Sequence, residues 1–309
     1  PLFWGFRWYK LTKLEGFNIM LYEHYKKNAE LKHKIHFNGK DTTLGQILDE
    51  HKDYFNKPPS YLLGIDSSSK VSKGKKLKVV TAIQYLAPDR MITSKTLCPN
   101  AERNGCADAC LKDSGRLGMI NSQRAMINRT LFYLYMTDSY YRQLRYEIDK
   151  AYMTYGNELA VRLNGTSDIN YKDLVKDYPH IQFYDYTKNR NMLMKNKNKN
   201  HHYTFSGSMF SDYSIKELKK AVKDKLNIAL AFNTANTKHD KLKIPSKLFG
   251  IDLVSFDDTD ARFKDNDGAI GYLSRKGSSI KLRQLEDTEQ DNFFVTSSNL
   301  ERIQAIQVS

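Results

Sequence analysis

Three cysteines carry the clearest chemical potential in this chain, and they fall within one short segment. Cys98, Cys106 and Cys110 follow a C-x7-C-x3-C pattern, and no other cysteine occurs in the sequence. An odd number of cysteines on one loop does not suit a disulfide framework. Three thiolates can bind three irons of a cubane cluster and leave the fourth iron open to a small molecule. We therefore expect this segment, the cysteine loop, to hold a [4Fe-4S] cluster.

Zinc is the main alternative metal for the same loop. The spacing of Cys106 and Cys110 lies within the range typical of zinc sites, but Cys98 is further away. A tetrahedral Cys3His site would need one histidine, for which His180, His201, His202 and His239 are candidates. A third interpretation is three ordinary buried thiols, since cysteine is among the most buried residue types. Ligand softness favours the cluster over these two alternatives.

Short apolar runs alternate with amphipathic segments through most of the chain. The runs predict strands and the amphipathic segments predict helices. Alternation of this kind favours parallel strands joined by crossover helices, hence an α/β fold built as a complete or partial parallel (β/α) barrel. The predicted strands are Lys78–Tyr85, Leu159–Leu163, Ile181–Tyr186, Tyr203–Phe205, Ile228–Phe232, Leu253–Phe256 and Ala269–Leu273, and the main helices are Asn121–Met136, Tyr140–Tyr155, Tyr171–Val175 and Ile215–Val222.

Small polar and charged residues follow most of these predicted strands. In a parallel barrel the strand ends meet on one face, where catalytic sites lie. We therefore expect four residues, Asn164, Ser167, Asp168 and Ser206, to contact a cofactor. Lys188 shares a two-residue alternation with Tyr184 and Tyr186, and Lys188 and Asp258 are the candidate catalytic residues. Ordinary turns also favour these residue types, so a purely structural role remains the alternative.

Two charged features allow further interpretations. Arg162 either binds a carboxylate or phosphate, or pairs internally with Asp168 or Asp185. The carboxylates of Asp257, Asp258 and Asp260 follow a predicted strand and are candidate Mg²⁺ ligands of a nuclease. An aspartate-rich turn is the simpler explanation of that cluster.

Charge and composition restrict the partners. Lys and Arg number 49 against 35 Asp and Glu, a net charge of +14, which favours nucleic acid or a nucleotide over a membrane surface. Apolar runs are far shorter than the ~18 residues of a membrane span, and no secretory signal pattern occurs. We expect residues 1–75 to form an N-terminal extension and basic linker, and residues 76–309 to form the barrel-like domain with the cysteine loop. Thr43 and Gln46 predict a capping box for a helix through Tyr54.

Several motifs together resemble a family of tailed-phage and plasmid proteins known by a gene-product number. They are LCPNA at 97–101, GC at 105–106, CL at 110–111, RT at 129–130, VRLNGTSDI at 161–169, QFYDYTK at 182–188, YTFS at 203–206, VSFDDTDARF at 254–263 and AIGYL at 269–273. The resemblance covers about residues 77–296. It implies a phage origin, and with it the bacterial cytoplasm, but it implies no particular activity.

The chain is also similar, more weakly, to radical S-adenosylmethionine enzymes. As in those enzymes, the cysteine loop follows the first predicted barrel strand, although its spacing departs from their usual C-x3-C-x2-C. The similarity implies a [4Fe-4S] cluster with S-adenosylmethionine, acting on a nucleotide, nucleic acid or other macromolecule. A zinc-stabilised basic nucleic-acid-binding protein without catalysis and a metal-dependent nuclease are the alternative functions.

Overall fold

A computed structural model describes residues 20–65, 77–107, 109–113, 115–233, 242–275 and 293–304 of the chain. Most of the predicted basic linker, residues 66–76, lies outside the described residues, as does His239, one of the candidate zinc ligands. None of the described helices is both long and apolar enough to cross a membrane.

The N-terminal segment is a small helical unit with one hairpin. It contains α1 (Leu21–Asn28), β1 (Lys34–Phe37), β2 (Lys40–Thr43), α2 (Leu44–Glu50) and α3 (Lys52–Phe55). The capping box is confirmed, with the Thr43 hydroxyl and the Gln46 side chain bonding reciprocally at the start of α2. The predicted single helix is interrupted at His51, whose backbone leaves the helical conformation. Apolar residues of this unit pack against Met126, Ile127 and Leu131.

One nine-stranded sheet forms the centre of the protein. Its order is β3-β4-β5-β6-β7-β8-β11-β10-β9, and the seven strands from β4 to β10 in this order are parallel. The short edge strands β3 and β9 are antiparallel to their neighbours. The strands are β3 (Leu63–Ile65), β4 (Val80–Gln84), β5 (Leu159–Arg162), β6 (Gln182–Thr187), β7 (His201–Ser206), β8 (Ile228–Phe232), β9 (Lys247–Leu248), β10 (Ile251–Ser255) and β11 (Ile270–Ser274). The mostly parallel α/β prediction is confirmed, but the described strands form an open sheet and do not close into a complete barrel.

Helices cover the outer face of the sheet. They are α4 (Ile120–Tyr135), α5 (Thr137–Tyr155), α6 (Lys172–Lys176), α7 (Arg190–Met194), α8 (Asp212–Lys223) and α9 (Ser297–Gln304). Leu144 and Ile148 of α5 pack on Val161 and Phe183 of β5 and β6. Leu218 of α8 belongs to a second core with β7 and β8. The buried outward-facing residues of the strands supply the apolar surface that holds these helices.

The inner face of the sheet carries a buried polar network. Arg162 of β5 donates to Asp260 at 2.8 Å, and the Tyr184 hydroxyl donates to the same carboxylate oxygen at 3.1 Å. Asp260 follows β10, which lies five strand positions from β5. In a flat sheet that separation would be about 24 Å at ~4.8 Å per strand. The sheet therefore curves around the segment 256–265.

His202 of β7 belongs to this half-buried inner layer and should make stability depend on pH. Burial lowers the pKa of His202 to about 4 from its ordinary 6.5, an effect only partly opposed by Asp267. The ring is thus protonated more readily in the unfolded chain. The contribution of His202 to stability should be constant above pH 6.5 and fall between about pH 6.5 and 4, by on the order of 3 kcal/mol.

Urea unfolding of His202→Gln across this pH range tests the expectation. The free energy of unfolding of the wild type minus that of the variant should fall by this amount as the pH drops from about 6.5 to 4. His36→Gln is the matched control, because the His36 side chain is 54% exposed, and it should keep the wild-type pH dependence. An unchanged profile for His202→Gln would assign the acid sensitivity to other groups.

Candidate functional site

Serine side chains that follow β7 hydrogen-bond to the backbone of the cysteine loop. Its 3₁₀ turn, Glu102–Asn104, offers two backbone carbonyls. Ser208 donates to the Asn104 carbonyl at 2.8 Å, and Ser211 and Ser214 donate to the Arg103 carbonyl at 2.7 and 3.0 Å. Ser211 is also the N-cap of α8. The loop that leaves β4 is therefore held against the segment that follows β7.

Gly105 allows the loop to approach the sheet closely. Its φ is +66°, and a Cβ atom there would overlap the ring of Phe210. Gly105→Ala should lower the free energy of unfolding by about 2–4 kcal/mol, the sum of left-handed strain and overpacking. It should also displace the adjacent Cys106. Urea unfolding measures the first effect, and Gly39→Ala, which has a positive φ but open space around it, isolates the strain from the overlap. Equal losses in the two variants would contradict the overlap.

The three thiols are half-buried. The Cys98 sulfur accepts a hydrogen bond from the Asp89 N–H at 3.3 Å, and the Cys98 thiol donates to the Thr166 carbonyl at 3.6 Å. Burial raises the pKa of the Cys98 thiol, and the charges of Cys110 and Cys106 raise it further. Burial also raises the pKa of Cys106. Burial therefore favours the protonated form of the Cys98 and Cys106 thiols.

Lys188 supplies a positive charge next to these thiols. Its ammonium group donates to the Ser206 carbonyl at 3.0 Å and to the Ser206 hydroxyl at 3.1 Å, and it lies 4.7 Å from the centre of the Phe293 ring. Burial lowers the pKa of Lys188, while the nearby Cys106 and Asp168 raise it. Within β6 the Tyr184 hydroxyl bonds to Asp260 and the Tyr186 ring lies against Arg162, the partner of Asp260, so these two tyrosines share the inner side as the alternation predicts.

Asp168 completes the group and has an unused acceptor. Its Oδ2 accepts the Lys188 N–H at 3.2 Å, and its own N–H donates to the Leu97 carbonyl at 2.9 Å, just before Cys98. Burial raises the pKa of Asp168 to about 6, although the Thr187 hydroxyl and the Lys188 N–H lower it. Its Oδ1 is buried and has no hydrogen-bond partner in the part of the chain that the structure describes. A buried acceptor without a donor is costly unless a ligand supplies one.

Two of the predicted cofactor-binding residues, Asn164 and Ser167, form hydrogen bonds within their own turn. The Asn164 Oδ1 accepts from the Ser167 hydroxyl and from the Ile169 N–H, both at 2.9 Å. The Asn164 amide donates to the Ile169 carbonyl at 2.9 Å. Asn164 and Ser167 therefore shape the loop after β5 and place Asp168 at the edge of the sheet.

The three aspartates after β10 lie in three different environments. Asp257 accepts the Ser274 N–H at 2.8 Å, Asp258 is exposed, and Asp260 is paired with Arg162. The predicted partners of Arg162, Asp168 and Asp185, were wrong, because the curvature of the sheet brings Asp260 to it instead. Among the described residues, no three His, Cys, Asp or Glu side chains are grouped so that they could hold a metal ion.

Sequence reasoning did not predict how residues of other elements support the site. His201 contacts Asp185 at 2.9 Å in the buried layer beneath the site, and the same carboxylate accepts the Asn164 N–H at 2.7 Å. Thr166 contacts Cys98 through its backbone carbonyl, and Phe293 covers Lys188 from the C-terminal part of the chain. These contacts join residues far apart in sequence. Only the contact of His201 with Asp185 could have been expected, from the pairing of β6 with β7.

Comparison with known proteins places the chain in one family. No curated protein and no solved structure matches it. The family model described as Gene product 88 matches residues 64–294. This match agrees with the phage-type resemblance of the sequence motifs, and it gives no support to the similarity with radical S-adenosylmethionine enzymes. Because the match covers well over half of its length, the chain belongs to the Gene product 88 family.

Proposed function

We propose that this protein is an iron–sulfur enzyme of the radical S-adenosylmethionine type that acts on a nucleotide, nucleic acid or other macromolecule. Cys98, Cys106 and Cys110 would bind three irons of a [4Fe-4S] cluster. The observation that carries the proposal is the joint position of the thiols, Lys188 and Asp168 at the carboxyl edge of a parallel sheet. Ligands in α/β proteins bind at this edge.

The type of the donors is the reason for preferring a cluster to a single zinc ion. A structural zinc ion gathers four donors at about 2.0–2.3 Å around one point. In a cubane cluster each thiolate binds a different iron. The described residues hold no ready-made group of three His, Cys, Asp or Glu donors, so the loop would have to bring its thiolates together on binding either metal. The softness of three thiolates favours the cluster, and the separated aspartates give little support to a nuclease.

The residues of the chain would bind and orient the cofactor. When bound, the cluster supplies the electron for reductive cleavage of S-adenosylmethionine. The free Asp168 Oδ1 is placed to accept a hydrogen bond from a ribose hydroxyl or an amino group. Lys188, steered by Ser206, is placed to bind a carboxylate or phosphate.

A partial barrel would give this enzyme an open side. The curvature of the sheet around Asp260 supports that architecture, and among the described strands the two edge strands, β3 and β9, do not pair with each other. An open barrel leaves lateral access for a large substrate, whereas a complete barrel admits substrate only through its end. This shape agrees with a macromolecular or nucleotide substrate.

Anaerobic purification tests the proposal. We expect a brown protein with roughly four irons and matching sulfide per chain, and release of 5′-deoxyadenosine when it is reduced with S-adenosylmethionine. A colourless protein with stoichiometric zinc would overturn the proposal in favour of the binding protein. Mg²⁺-dependent cleavage of DNA by an iron-free protein, abolished in Asp258→Ala, would overturn it in favour of the nuclease.

A further inference from the structure

A groove outside the cysteine site combines exposed aromatic rings with arginines. It has a volume of about 290 Å³ and lies between α3, the segment before β3 and the first half of α4. Tyr54, Tyr61, Asn121, Arg124 and Arg129 supply its polar and aromatic lining. Ligand pockets usually measure ~300–1,000 Å³, so the groove has room for one planar ring system.

The two tyrosines present their rings to solvent and to the guanidinium groups. Tyr61 is 53% exposed and Tyr54 is 36% exposed, which is unusual for large aromatic side chains. Arg129 lies 4.8 Å from the centre of the Tyr61 ring, and Arg124 lies 5.0 Å from that of Tyr54. None of the lining residues is acidic, so the positive charge of the groove is not neutralised within it.

Arg124 and Arg129 differ in how far their N–H groups are already hydrogen-bonded within the protein. Arg129 is buried and donates to the backbone carbonyls of Tyr61 and Tyr85, so it holds the groove together. Arg124 is half-buried and donates to the Asn121 side chain at 2.5 Å. Its Nε is buried without a hydrogen-bond partner among the described residues. Arg124 is therefore the group with capacity to bind an anion.

We propose that this groove binds an unpaired base and its phosphate from single-stranded nucleic acid. Exposed tyrosines stack on bases of any sequence, and an arginine beside them binds the phosphate, the combination typical of single-strand binding surfaces. The net charge of +14 attracts the same polyanion. A purely anionic ligand would not need the exposed rings, and a purely apolar ligand would not need the arginines.

The groove lies on the same edge of the sheet as the cysteine loop. Arg129 contacts the carbonyl of Tyr85, the residue that follows β4. The Tyr85 ring lies against Gly165, where an added Cβ would be 2.7 Å from it. The next residue, Thr166, accepts the hydrogen bond from Cys98. A strand held in the groove would therefore lead toward the thiols, and the inference that it is the substrate rests on the proposed function.

Fluorescence anisotropy of the full-length protein with labelled oligo(dT) and oligo(U) tests the binding. Tyr61→Ala should weaken binding about tenfold, as expected for the loss of one stacked base, whereas Tyr61→Phe should retain it. Arg124→Ala should lower the slope of log affinity against log salt by about one. Tyr146→Ala and Arg142→Ala, at exposed positions on α5, are the matched controls and should bind like the wild type.

Several outcomes would overturn the inference. Unchanged binding in Tyr61→Ala and Arg124→Ala would place the nucleic acid elsewhere. Equal affinity for duplex DNA or complete competition by heparin at equal charge would indicate a simple polyanion surface. The relative affinities of the two oligomers identify DNA or RNA as the source. Iron content, measured on the same samples, decides the proposed function separately, because an iron-free protein that binds through the groove would refute only the cluster.

Discussion

Cys106→Ala is expected to abolish iron binding by the anaerobically purified protein, with the loss of all S-adenosylmethionine cleavage. Cys106 lies directly after the glycine that brings the loop against Phe210, and its thiol interacts electrostatically with Lys188. Removing residues that merely support a metal ligand costs about 10–100-fold in affinity. Removing a ligand itself should cost at least about 100-fold, so iron should fall below a tenth of the wild-type content. Elemental analysis with sulfide determination measures it.

The comparison needs a control of similar size and burial. Ser139→Ala, half-buried on α5, should keep the full iron content. Cys98→Ala and Cys110→Ala should behave like Cys106→Ala. Full retention of iron in any of the three cysteine variants would exclude that cysteine as a ligand, and retention in all three would refute the cluster.

Asp260→Ala should cause the largest loss of stability among single substitutions on the inner face. Asp260 is 2% exposed and accepts hydrogen bonds from both Arg162 and Tyr184. Its removal leaves the Arg162 guanidinium without its partner inside the sheet. Breaking one side of a buried ion pair costs about 3–5 kcal/mol. Urea unfolding at neutral pH measures the change in the free energy of unfolding.

Asp258→Ala is the matched control for that measurement. Asp258 belongs to the same loop but is exposed, so its removal should change stability by less than about 0.5 kcal/mol. Asp260→Asn should fall between the two, because the amide oxygen can still accept a hydrogen bond. A loss of less than about 1 kcal/mol in Asp260→Ala would show that the pair does not hold the curved sheet together.

Local sequence patterns predicted the elements well because burial on both faces leaves a continuous apolar run. Ile228–Phe232 is such a run and coincides with β8. The two-residue alternation in β6 placed Tyr184, Tyr186 and Lys188 on one side, and the contact of Lys188 with Ser206 lies on that side. Asp168 was predicted from its position after a strand, because parallel strands end at one edge of the sheet and ligands bind there.

Local sequence patterns could not predict the contacts between segments that are distant in the chain. Arg162 and Asp260 are 98 positions apart, and their pairing depends on the curvature of the sheet. The serine contacts to the cysteine loop also required the position of α8 to be known. Turn chemistry explains why Asn164 and Ser167 were predicted as ligands, since a residue that closes a turn and a residue that binds a cofactor have the same side-chain types.

The position of β11 between β8 and β10 has a consequence for biosynthesis. β10 precedes β11 in the chain, yet β11 lies between it and β8. While the ribosome is still translating the segment before Ile270, the apolar strand Ile228–Phe232 has no neighbour on that side. An unpaired apolar strand is a template for association with other chains. The nascent chain therefore exposes this side of β8 until β11 has left the exit tunnel and paired with it.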